Sequence, residues 1–89
     1  MAVYCISSTL INKNYDKLHE VIKSYNNWWH NSDSVWFIET TESASTILEK
    51  LKVHLISGDK LIVIEVKQHW WAVGYKEEEY NWLKQKTFL

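Results

Sequence analysis

Lys60-Leu61-Ile62-Val63-Ile64-Glu65-Val66-Lys67 decides the fold. In an extended strand successive side chains point to opposite faces, so Ile62, Ile64 and Val66 line one side while Leu61, Val63 and Glu65 line the other. Neither side is polar throughout, which is the pattern of a strand covered on both faces. Helices of the same chain can cover one face. The other calls for something outside the monomer, most simply the sheet of a second copy.

Upstream of this strand, Ser57-Gly58-Asp59 reads as a turn and Ser43 as the cap of a helix whose apolar face is Ile47, Leu48, Leu51 and Leu55. Before that helix, Trp28 to Thr40 reads as a strand bent at Ser32-Asp33-Ser34, ahead of the β-prone Val35-Trp36-Phe37-Ile38. The spacing of Tyr15, Leu18, Val21, Ile22 and Tyr25 predicts an amphipathic helix, with Asn14 as its cap and Asn26-Asn27 as its stop. Ala2 to Ser8 predicts the first strand, ended by turn formers at Asn12 to Asn14. Downstream, Gln68-His69 reads as a short turn and Trp70 to Tyr75 as a last strand. Lys76 to Lys86 then predicts a closing helix, its dipole matched by Glu77, Glu78 and Glu79 at the start and Lys84 and Lys86 at the end.

The order strand, helix, strand, helix, strand, strand is the ferredoxin-like α+β pattern. It predicts a four-stranded antiparallel sheet with helices on one face and an added C-terminal helix. With 89 residues, 46% of them hydrophobic and no proline, residues 1–89 make a single domain. A domain this small hides only about 60% of its unfolded surface, a second reason to expect a homo-oligomer. Ten basic and eleven acidic residues give a net charge of -1, which argues against neutralising many phosphates of a long nucleic acid. A small anion needs only two or three lysines. The one cysteine, Cys5, lies in an apolar run, and the chain shows neither a leader nor an apolar stretch near the ~20 residues of a membrane span. A cytoplasmic protein with no membrane role is expected.

Met1-Ala-Val-Tyr-Cys-Ile-Ser7, Trp28-Trp29-His30 followed by Asp33-Ser34-Val35-Trp36, and Asp59-Lys-Leu-Ile-Val-Ile-Glu65 together resemble the SinR family of small proteins. That family is itself similar to the small CRISPR spacer-acquisition nucleases. The resemblance implies a ferredoxin-like subunit that dimerises through its sheet and, in the nuclease branch, a metal-binding aspartate at the end of the first strand. The family's Ile-Ser-Tyr-Asp-Leu stands here as Ile6-Ser7-Ser8-Thr9-Leu10, so Thr9 takes the carboxylate's position. A neutral hydroxyl does not replace a carboxylate as a magnesium ligand, so metal-dependent cleavage is not expected. Asp16 and Asp33 read as solvated or turn residues. His19, His30, His54 and His69 lack two-ligand spacing, and no metal or cofactor is expected.

Two adjacent pairs, Trp28-Trp29 and Trp70-Trp71, carry the functional expectation. On a strand one ring of each pair leaves the core, and the second surface must meet a ligand, a subunit or water. The candidate ligand-binding residues are Trp28, Trp29, Trp70 and Trp71 for stacking on bases, and His30 and His69 beside them. Ser7, Ser8, Thr9 and Lys13 are the candidates for phosphates. The expected function is non-catalytic sequestration of a small, cyclic nucleotide signal. Because relatives of this type are frequent in phages, the setting implied is phage counter-defence in the host cytoplasm. The alternatives are an inhibitor or adaptor that binds a host protein through exposed tryptophans, and a divergent nuclease.

Overall fold

The computed structural model describes residues 1–12 and 15–86. Its elements are β1 (Ala2–Thr9), α1 (Asp16–Lys23), β2 (Trp28–Ser32), β3 (Val35–Thr40), α2 (Ala44–Lys52), β4 (Lys60–Val66) and α3 (Glu77–Lys84). The strands form one antiparallel sheet in the order β2-β3-β1-β4. That is the ferredoxin-like arrangement, two interleaved βαβ units with α1 and α2 as the crossovers.

Four strands are present, but two expected boundaries are corrected. Trp28 to Thr40 is a hairpin of two strands, because Asp33-Ser34 reverses the chain where a bend was expected. Trp36 Nε1–H donates to the Asp33 carbonyl at 3.0 Å, and an irregularity between His30 and Ser32 shifts the register beside the turn. Trp70 to Tyr75 is not a strand. Gly74 has φ 85°, a left-handed conformation that breaks an extended run and that glycine adopts without strain. The flanking rings are drawn elsewhere: Trp70 meets Tyr80 edge-on at 6.3 Å, and Tyr75 lies 6.3 Å from Trp29.

Register fixes the two faces. Tyr4 and Ile6 of β1 stand beside Ile38 and Trp36 of β3, and all four are buried against Leu18 and Ile22 of α1 and Ile47 and Leu51 of α2. Leu61 and Val63 of β4 join the edge of this core. Ser43 caps α2 as expected, accepting the Thr46 N–H at 3.2 Å. The predicted cap of α1, Asn14, lies outside the described residues. Val3, Cys5, Phe37, Glu39, Trp29, Ile62 and Ile64 belong to the opposite face by the same alternation.

That second face is only partly covered, and the cover is α3. Trp82 Nε1–H donates to Asn27 Oδ1 at 3.0 Å, Asn27 Nδ2–H to Glu39 Oε1 at 2.8 Å, and the Lys86 ammonium to Glu39 Oε1 at 3.2 Å. Leu83 is buried at the same docking site, and Val3, beside Glu39, is 1% exposed. Ile62 and Ile64, farther along the face, remain 53% and 50% exposed. The strand read as covered on both faces is therefore covered on one within the monomer.

Asp59 ties the two loops at the end of the sheet. Its carboxylate accepts the backbone N–H groups of Ile11 and Ile56, both at 2.8 Å, and the Tyr15 hydroxyl at 2.7 Å. Desolvation pushes this carboxyl up, but the N–H groups of Ile56 and Ile11 and the Tyr15 hydroxyl together outweigh it and hold it below its ordinary range. Glu42 is lowered in the same direction by Lys50 and Tyr25. A depressed folded-state pKa contributes stability that is present above the ordinary value and lost as pH falls through the folded one. The urea midpoint is therefore expected to drop as pH is lowered from about 5 to about 3. In Asp59→Asn the midpoint should be lower at neutral pH and the remaining acid dependence shallower. An unchanged slope would assign the acid sensitivity to other carboxylates.

Candidate functional site

The tryptophan pairs take up three separate surroundings. Trp28 faces the helices beside Ile38, and Trp29 faces away beside Phe37, as alternation along a strand requires. On the helix side, the His30 ring lies flat on Trp36, centroids 3.8 Å apart at 8°. Trp28 and His19 flank Trp36 at 5.6 and 5.2 Å, and the Lys23 ammonium lies 5.5 Å from the Trp28 ring centroid. His19 Nε2 is buried and has no hydrogen-bond partner among the described residues, and Trp36 is 2% exposed. This cluster is largely packed, with Trp28 36% exposed and the His30 side chain 28% exposed. On the other face, Trp29 lies between Phe37 and Tyr75, at 5.3 and 6.3 Å. It is half-buried under the C-terminal segment.

The third surrounding is open. Between residues 68–72 and the C-terminal part of α3 lies a cleft of about 410 Å³, within the size range of small-molecule sites, lined by Gln68, Trp70, Trp71, Tyr80, Lys84 and Lys86 among others. Trp70 is half-buried against Tyr80, whereas Trp71 is fully exposed. A large ring wholly in water gains nothing for the fold from its apolar area. His69 is exposed and borders a smaller depression with Gln68, Trp70 and Trp71.

The cations of the cleft differ. Lys86 holds Glu39 in a pair whose side chains are only 13% and 17% exposed, and it also lies 4.5 Å from the Trp82 ring centroid. Lys84 lies 5.6 Å from the Tyr80 ring centroid and 3.4 Å from Glu77 Oε1, with side-chain exposures of 46% and 73%. A pair this open is weakly held. The cleft thus joins aromatic faces to one weakly paired ammonium group.

The hydroxyl candidates are not brought to this cleft. Ser7 lies on the partly covered sheet face between Val35 and Ile62. Ser8 has its N–H on the Ser34 carbonyl at 2.9 Å and borders a depression with His19, Asp33 and Ser34. Thr9 is exposed opposite Lys60. Lys13 lies outside the described residues. Sequence reasoning missed Gln68, Tyr80, Lys84 and Lys86. Tyr80 and Lys84, four apart on a helix, share one face, and that spacing was a readable signal.

Cys5 is half-buried in mid-strand between Phe37 and Ile64, and burial pushes its thiol up, away from the reactive thiolate. Among the described residues no three His, Cys, Asp or Glu side chains stand together as a metal site. No described helix is long and apolar enough to cross a membrane. Comparison with protein families, characterised proteins and solved structures finds no match to this chain.

The rings separate by alanine substitution. Trp36→Ala is expected to destabilise by about 3 to 5 kcal/mol, because it empties the middle of the helix-side core. Trp71→Ala should leave the denaturation midpoint unchanged within about 0.5 kcal/mol. A large loss of stability in Trp71→Ala would show that its ring is packed.

Proposed function

We propose that this chain is a non-catalytic binding protein that captures a small nucleotide in the cleft between residues 68–72 and α3. The observation that carries the proposal is the combination of Trp70, Trp71 and Tyr80 with Lys84 around one open cavity. Base-on-ring stacking supplies about 1 to 3 kcal/mol per base, and the ammonium group supplies a charged partner for a phosphate. Capture by sequestration requires affinity and abundance and no turnover. It fits a chain whose one thiol is half-buried and raised. The resemblance to the SinR family supports a setting in phage counter-defence, where a host's cyclic nucleotide signal would be removed by binding.

Self-association belongs to the same proposal. Ile62 and Ile64 leave an apolar strip on the sheet face, and β4 is an edge strand with β1 as its one neighbour in the sheet. Edge strands with exposed apolar residues invite pairing, and a second copy presents a self-complementary surface.

In calorimetric titrations with cyclic and linear dinucleotides, the parent protein is expected to bind. Trp71→Ala and Lys84→Ala should each weaken binding about tenfold or more without unfolding the domain. Ser7→Ala and Thr9→Ala should bind as the parent does. Loss of binding in the serine or threonine variants alone would move the site to the end of β1. If no nucleotide binds and Trp71→Ala disrupts a protein complex instead, the exposed tryptophan is a protein-interface anchor. Sedimentation at micromolar concentration should give a species heavier than one subunit, and Ile64→Lys should shift it to the monomer. A monomeric parent removes the case for self-association.

A further inference from the structure

The charges around the cleft narrow its ligand, given that it captures nucleotides at all. Of the two ammonium groups in its lining, Lys86 is already neutralised by Glu39 in a largely buried pair that docks α3. Lys84 is the weakly paired one, and its present partner is the carboxylate of Glu77. Glu77, Glu78 and Glu79 occupy the first turn of α3, and the chain as a whole carries a net charge of -1. Among the described residues of its lining, the cleft therefore offers one weakly paired positive charge, Lys84, with the Glu77 carboxylate beside it.

We infer that the cleft selects nucleotides whose phosphate is a diester, carrying one negative charge beside each base, over phosphomonoesters and polyphosphates. A diester exchanges with Glu77 for Lys84 charge for charge. A phosphomonoester carries about -1.5 to -2 at neutral pH, and a triphosphate more, so each brings charge that no described cation of the lining meets. That excess must be desolvated unpaired and held near the displaced Glu77 carboxylate, and both effects oppose binding. Trp71, fully exposed at the mouth, is free to stack on the base whichever phosphate linkage it carries. The selectivity comes from the charge balance.

Cyclic mononucleotides, cyclic dinucleotides and linear dinucleoside monophosphates share this chemistry, and titration separates them. Cyclic AMP, cyclic di-AMP, the linear adenylyl-adenosine diester, AMP and ATP would each be titrated at low ionic strength into the parent protein and into Glu77→Gln. At least one diester is expected to bind ten times or more tighter than ATP, with AMP between them. Glu77→Gln should narrow the gap between diester and ATP several-fold while the fold stays intact. If ATP binds as tightly as every diester, or if Glu77→Gln leaves the gap unchanged, charge selection is wrong and nucleotide capture survives it. If none of the five binds, both fall together.

Discussion

The docking of α3 on the second face of the sheet turns on one largely buried carboxylate. Glu39 sits in β3, pointing away from the main core, and receives both Asn27 Nδ2–H and the Lys86 ammonium. A carboxylate in that position is unfavourable without partners, and the C-terminal segment supplies one while Trp82 holds Asn27 from the same helix. Removing a partner from such a group is more damaging than the net worth of the pair implies, because it leaves an uncompensated charge. The docking of α3 is thereby fixed in place. So is the wall that Tyr80, Leu83 and Lys84 present to the cleft.

The division of labour between the two faces follows from strand alternation. Inward residues of β1, β3 and β4 make a core with α1 and α2, and Trp36 is its largest member. Outward residues are covered unevenly, by the C-terminal segment at one end of the face and by strand neighbours elsewhere. Val3 is buried, whereas Ile62 and Ile64 are not. A small domain thus retains an apolar strip and a fully exposed tryptophan. Both leave apolar area in water.

Much of the fold was legible. The helices near Leu18 and Ile47 followed from apolar spacing, and the capping by Ser43 followed from a single residue. The ferredoxin-like class was read correctly, although the fourth strand was placed after β4 at Trp70 to Tyr75 and not in the hairpin before α2. The hairpin at Asp33-Ser34 was hidden because a two-residue reversal and a bend have the same composition. Trp70 to Tyr75 was misread because aromatic and β-branched residues carry strand propensity, while the outcome was decided by Gly74 and by ring contacts with Tyr80 and Trp29, which are tertiary. For the candidate site, alternation separated Trp28 from Trp29, and it has no hold on Trp70-Trp71, which lie outside the strands. It did not reveal that Ser7, Ser8 and Thr9 lie away from the Trp70-Trp71 cleft, or that the lysine beside the rings is Lys84. Those facts depend on where α3 docks, and a carboxylate at position 39 does not announce its partner.

The most direct test of ligand capture at this cleft uses the six tryptophans as reporters. Their indole N–H resonances, assigned in a nitrogen-15 correlation spectrum, would be followed during titration with a cyclic dinucleotide. Capture in the cleft requires the Trp70 and Trp71 signals to shift and saturate together while those of Trp28 and Trp36 stay in place. Saturable shifts confined to Trp28 and Trp36, or no shift in any of the six, would contradict it.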